Sequence, residues 1–170
     1  MDDRFLNPRN QTLEFANRSR KNLEFVEDAY AAGEDVHPVT QLTLSMLGLV
    51  VFPWGERHHI EFQAKNKDFC AMENEGWPTW KIICDYKDKP TVNLSDLIRH
   101  LRNAVAHGRI KFSSNSGKIE DVTIVVEDEY RRSENYNKCT NYDYWCAEIE
   151  GIKLREFCMK FFKFITDTIG

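Results

Sequence analysis

The sequence predicts a mainly α fold: a bundle of four to five helices with a small β-hairpin inserted before the C-terminal helix. Three observations carry that prediction. Apolar residues recur at helical spacing in the long segments, and stop residues separate them. The pattern changes to alternation mainly late in the chain, between residues 119 and 150. No internal repeat, low-complexity tract or linker divides the 170 residues, so a single domain spanning 1–170 is expected.

Residues 11 to 32 form the first amphipathic segment. Leu13, Ala16, Leu23, Val26 and Tyr30 fall at helical steps, and Gly33 follows as a stop. Pro38 suits the first turn of a second helix, which runs through Phe52 and ends at Pro53. The short loop between them favours an antiparallel helical hairpin. From Gly55 to Pro90 the pattern weakens: "ERHHIEFQAK" suits a short helix, and "WPTWKIICDY" suits either a strand or another short helix. A third clear helix follows Asn93, an N-cap type, with Asp96 at N3 in a near capping-box arrangement. Its stripe is Leu94, Leu97, Ile98, Leu101, Ala104 and Val105, and Gly108 stops it. "IEDVTIVVEDEY" and "YDYWCAEIEG" alternate as strands do, with Arg131 to Thr140 as a mobile hairpin loop between them. The last helix carries Leu154, Phe157, Cys158, Phe161, Phe162, Ile165 and Ile169 on one face.

Bulk composition narrows the function classes. Hydrophobic residues at 42% and charged residues at 29% are those of a globular protein, and 12% aromatics argue for a packed core. A net charge of −4 gives no global attraction for nucleic acid, so any such contact must rest on local charge. The five cysteines include no CxxC pair, which argues against a zinc ribbon or a thioredoxin-like motif. The opening "MDDRFLNPRN" lacks the basic and apolar regions of a secretory leader, and a cytoplasmic protein with reduced thiols is expected. The longest apolar run, Leu42–Phe52, is too short for a bilayer span, so a core helix and no membrane partner are expected.

"LIRHLRNAVAHGRI", Leu97 to Ile110, is the chemically richest stretch. At about 100° per residue its core stripe centres on Leu94, Leu101 and Val105. Asp96, His100, Asn103 and His107 project on the opposite side, within about 60° of one another, flanked by Arg99 and Arg102. From Leu97 to Phe112 there are four cations, Arg99, Arg102, Arg109 and Lys111, and no acid. A forked guanidinium suits phosphate oxygens, and a histidine in a last helical turn suits proton transfer. The helix dipole alone also favours cations there, so the residues leave two readings open: an anion site, or a solvated helix end.

"RNAVAH", Arg102 to His107, resembles the signature of the HEPN superfamily: arginine, a polar residue, three variable residues, then histidine. Asn22–Glu56 resembles the first helical hairpin of a bacterial and plasmid-borne HEPN branch, and Leu94–Phe112 its third helix and exit. The resemblance covers most of the chain and is weakest over Gly55–Pro90. It implies a HEPN-like bundle that acts as a metal-independent endoribonuclease, with two motifs meeting across a homodimer. By that resemblance Arg102 and His107 would be catalytic. Asn103 would orient the histidine or the RNA substrate, with Arg99, His100 and Arg109 as binding or supporting residues. The products would be a 2′,3′-cyclic phosphate and a 5′-hydroxyl, and no cofactor or metal would be required. A toxin or anti-phage defence role, with an antitoxin partner, fits such proteins. The alternative is a non-catalytic dimeric HEPN module that binds nucleotide, RNA or a partner protein. Some toxin members carry a modified tyrosine two residues after the histidine; here that position is Arg109, which departs from the pattern.

Other residues carry less. The neighbouring His58 and His59 point different ways on any regular element, which disfavours a shared metal. Cys70 and Cys84 are expected to be buried apolar residues. Trp77 and Trp80 suit the core better than base stacking. Glu27 and Asp28 would either pair with Arg99 or Arg102 or be solvated, and solvation is the favoured expectation.

Overall fold

The computed structural model describes residues 7–51, 57–86, 90–129 and 144–170. Helix α1 spans Pro8–Ala31: the Asn7 side chain accepts from the Asn10 N–H at 2.8 Å, and Pro8 stands where no N–H needs a partner. Helix α2 spans Pro38–Val51 and packs on α1. The ring of Phe15 lies against the backbone of Gly48, where any Cβ would collide with it. Two short helices follow, α3 (Arg57–Lys65) and α4 (Phe69–Asn74), and then strand β1 (Lys81–Cys84). Helix α5 spans Leu94–Ala106, and strands β2 (Ile110–Phe112), β3 (Thr123–Glu129) and β4 (Tyr144–Glu150) come before helix α6 (Gly151–Ile169).

The expected β-hairpin is present as β3 and β4, and it is the centre of a larger unit. The four strands form an antiparallel sheet in the order β1-β4-β3-β2. Strand β2 has three residues and α4 has six, too few to leave a periodic pattern in the sequence, and neither was anticipated. Within "WPTWKIICDY" Lys81–Cys84 form a strand, and within "ERHHIEFQAK" Arg57–Lys65 form a helix. The expected hairpin loop, Arg131 to Thr140, lies outside the described residues, as does the Pro53 stop.

Three helices end alike. After α1, α4 and α5 a glycine with positive φ (Gly33, Gly76 and Gly108) lets the chain turn back and satisfy the last carbonyls. In each case the glycine N–H and the N–H after it both return to the final turn, the Schellman arrangement.

The core lies where α6 meets the other elements. Leu154, Phe157, Cys158, Phe161 and Ile165 of α6 are buried together with Leu23, Met46, Leu49, Leu97 and Leu101. Burial pushes the Cys158 thiol pKa up, which keeps it an uncharged packing group. Trp77 and Trp80 sit edge-on to Phe157 at 5.6 and 5.7 Å, so both are core residues. Cys70, by contrast, is exposed: it lies on an outer position of α4. Glu27 is neither solvated nor paired with α5. It accepts two hydrogen bonds from Arg155 of α6, at 2.6 and 2.8 Å, and this contact holds the Arg155 pKa above its usual value. The α1–α6 packing brings these two residues together across 128 positions of sequence, beyond what local pattern shows. No helix among the described residues is long and apolar enough to cross a membrane.

Candidate functional site: the polar face and C-terminal end of helix α5

Helix α5 begins as its sequence requires. The Asn93 side chain accepts from the Asp96 N–H at 2.9 Å, closing one half of a capping box. Asp96 accepts from the Val92 N–H at 3.4 Å rather than from Asn93, so the second half is displaced by one residue. Leu94, Leu97, Ile98, Leu101 and Ala104 are buried, and Val105 packs partly buried beside them.

The helix is covered on two sides. Helices α2 and α3 pack on one side, and strand β3 packs on another. That second cover changes the position of His100. The helical wheel puts His100 on the outward strip with His107, but the structure buries its side chain completely. Its ring stacks on Trp145 of β4, with centroids 4.6 Å apart and planes 9° from parallel, and Tyr86 lies 5.2 Å away. His107, one heptad further on, is exposed. The sheet covers α5 at His100 and leaves its end open.

Buried polar groups need partners, and His100 has them. Its Nδ1 lies 2.8 Å from Oδ2 of Asp128 on β3, and its Nε2 lies 3.0 Å from Nη2 of Arg99. A guanidinium only donates, so Nε2 accepts and the ring proton stands on Nδ1, pointing at the carboxylate. Asp128, itself buried, also accepts from Nδ2 of Asn103 at 3.1 Å. The Tyr86 hydroxyl donates to the Asp128 carbonyl at 3.2 Å. One carboxylate from the sheet thus holds His100 and Asn103, two residues of α5, with Arg99 closing the chain of contacts.

Asp128 was not anticipated, although the sequence carries a signal for it. In β3 the inward positions are Ile124, Val126 and Asp128. A carboxylate in the third slot of an otherwise apolar alternation calls for a buried partner. Which partner depends on the register: Asp128 pairs with Trp145 across the sheet, and both sit under His100.

The last turn presents the motif. His107 is the C-cap: its N–H donates to the Asn103 carbonyl at 3.1 Å. Gly108, at φ 64°, donates to Val105, and Arg109 N–H donates to Ala104 at 2.8 Å. Arg102 is half-buried on the other flank, five residues earlier, about 7.5 Å along the axis.

The cationic patch is different in space from the patch in sequence. Arg109 donates to the Glu129 carbonyl at 2.9 Å and lies 3.6 Å from its carboxylate. Lys111 is 2.6 Å from Glu127, and Arg99 is 3.7 Å from Asp96. Arg99, Arg109 and Lys111 therefore face acids, two of these acids supplied by the outward side of β3. The stretch is free of acids only along the chain. Burial, helped by a hydrogen bond to the same Glu127, pushes the Tyr144 hydroxyl pKa up. Both His58 and His59 are exposed, and among the described residues no group of three or more His, Cys, Asp or Glu could hold a metal ion.

The family model described as "HEPN pEK499 p136" matches residues 5–169, and the chain belongs to that family. No curated protein and no solved structure gives a significant match.

Proposed function

We propose that this protein is a HEPN-type endoribonuclease that cleaves RNA without a metal, with Arg102 and His107 as its catalytic pair. The observation that carries the reading is the exposed His107 at the Gly108-capped end of α5, five residues after Arg102, in a chain of this family. In the reaction His107 takes the proton of a ribose 2′-hydroxyl. The 2′-oxygen attacks the adjacent phosphorus, the bond to the 5′-oxygen breaks, and the leaving oxygen is protonated. Arg102 stabilises the charge that builds on the non-bridging oxygens of the phosphorane. A 2′,3′-cyclic phosphate and a 5′-hydroxyl result.

One motif per chain makes the working unit a homodimer, in which two copies of Arg102 and His107 share a cleft. Toxin or anti-phage activity, restrained by an antitoxin, is the setting in which such a nuclease acts. Arg99, His100, Asn103 and Arg109 are the supporting residues. His107→Ala and Arg102→Ala are each expected to abolish cleavage of a mixed cellular RNA, with circular dichroism unchanged and EDTA without effect on the parent protein. Sedimentation at the assay concentration should give a dimer. Cleavage that survives both substitutions, or stops with EDTA, overturns the nuclease reading. Binding of RNA by a dimer that forms no cyclic phosphate would make it a non-catalytic binding module.

A further inference from the structure

We infer that Asp128 is the positioning residue of this site, acting through Asn103 and, behind it, His100. The inference deepens the nuclease reading and rests on it for its catalytic consequence. Its structural part stands on the contacts alone.

Asn103 follows Arg102 in the chain and lies one helical turn before His107, on the same side of α5 as that histidine. An amide has two ends of opposite character, and a free asparagine turns either one outward. Asp128 removes that freedom. A carboxylate only accepts, so the contact at 3.1 Å commits the Nδ2 end of Asn103 inward. The carbonyl end, Oδ1, is then the limb turned away from Asp128. An acceptor there suits the 2′-hydroxyl of a neighbouring nucleotide, since the reacting 2′-hydroxyl gives its one proton to His107; a 2′-hydroxyl is the group that distinguishes RNA from DNA.

Asp128 can hold Asn103 in this way because it is held in turn. The Nδ1–H of His100 meets the same Oδ2 at 2.8 Å, the His100 ring is clamped on Trp145, and its Nε2 accepts from Arg99. The arrangement fixes direction as well as place. Both contacts fall on one atom, Oδ2, and an asparagine at position 128 has two unlike ends for that place. Presenting its oxygen, it accepts from both more weakly than the carboxylate does; presenting its NH2, it sets a donor against the Asn103 NH2. Rotation of Asn103 relieves that mismatch, because the reversed amide accepts from the new NH2.

The experiment uses the full-length protein and the variants Asp128→Asn, Asn103→Ala and the double variant. Asn103 side-chain amide resonances are followed by NMR alongside RNA cleavage kinetics. In the parent protein the Asn103 NH2 pair should be split and protected from exchange, and Asp128→Asn should collapse that signature with thermal unfolding still cooperative. Asp128→Asn and Asn103→Ala should each lower kcat about a hundredfold, with KM changed less. The double variant should be no slower than Asn103→Ala alone, because Asp128 acts through that residue. Multiplying losses would overturn the inference and make Asp128 a purely structural group. An Asn103 amide unmoved by Asp128→Asn would overturn it whether or not the protein cleaves RNA. Absence of cleavage in the parent protein with the NMR result as expected would instead remove the nuclease reading and leave the positioning contact standing. If Asp128→Asn fails to fold, Asp128→Glu takes its place. Its longer arm keeps the charge but moves it, and the same amide shift and non-multiplying kinetics are required.

Discussion

His100 and His107 are seven residues apart on one helix, and their surroundings give them opposite roles. His100 is buried between Trp145 and Tyr86 with its Nδ1–H on Asp128. Truncating it leaves a cavity and takes one partner from a buried carboxylate. His100→Ala is therefore expected to cost about 3 kcal/mol in urea unfolding. His107 is exposed, and His107→Ala is expected to stay within about 0.5 kcal/mol of the parent. A comparable loss of stability in both would contradict the division of labour. The sequence placed both histidines on the polar side of α5, and for His107 that position is exposed. For His100 the helical wheel was insufficient, since a wheel drawn from one helix knows one covering layer, and α5 has two.

Elements were legible in proportion to their length. Helices α1, α2, α5 and α6 have 13 to 24 residues, long enough for the apolar stripe to repeat, and their caps are local chemistry. Strand β2 and helix α4 form because neighbours hold them: β2 hydrogen-bonds along β3, and α4 is capped by Asp68 and followed by Gly76. The end of α5 is the element-scale feature nearest the chemistry. Gly108 takes a backbone conformation that residues with a Cβ adopt at a cost. A Cβ there meets nothing within 4 Å, so the cost is conformational and not a clash. Gly108→Ala is expected to lower stability by about 1 kcal/mol. RNA cleavage should fall more than that loss explains, because His107 hangs from the same turn. An alanine variant with unchanged midpoint and rate would show that the turn is not needed.

At the scale of the whole molecule, the sheet decides how charge is displayed. Along the chain the end of α5 is a run of cations, but β3 returns beside it and brings Glu127 and Glu129 against Lys111 and Arg109. With a net charge of −4, and with Arg99, Arg109 and Lys111 already facing acids, the local field that this end of α5 offers to phosphates is reduced. RNA binding, measured by anisotropy between about 50 and 200 mM salt, should therefore depend weakly on salt, with a slope equivalent to one or two phosphates per chain at about 0.7 each. A slope several times steeper would mean that a different surface carries the RNA. The sequence by itself determined the four long helices, the Asn93 cap, the Gly33 and Gly108 stops and the Arg102–His107 spacing, because each depends on residues within a few turns of one another. Only the tertiary structure decided that His100 is buried, that Asp128 holds Asn103, and that the cationic run is answered by acids. Those outcomes depend on β3 crossing the polar face of α5, a contact between segments some 25 residues apart that no local period records.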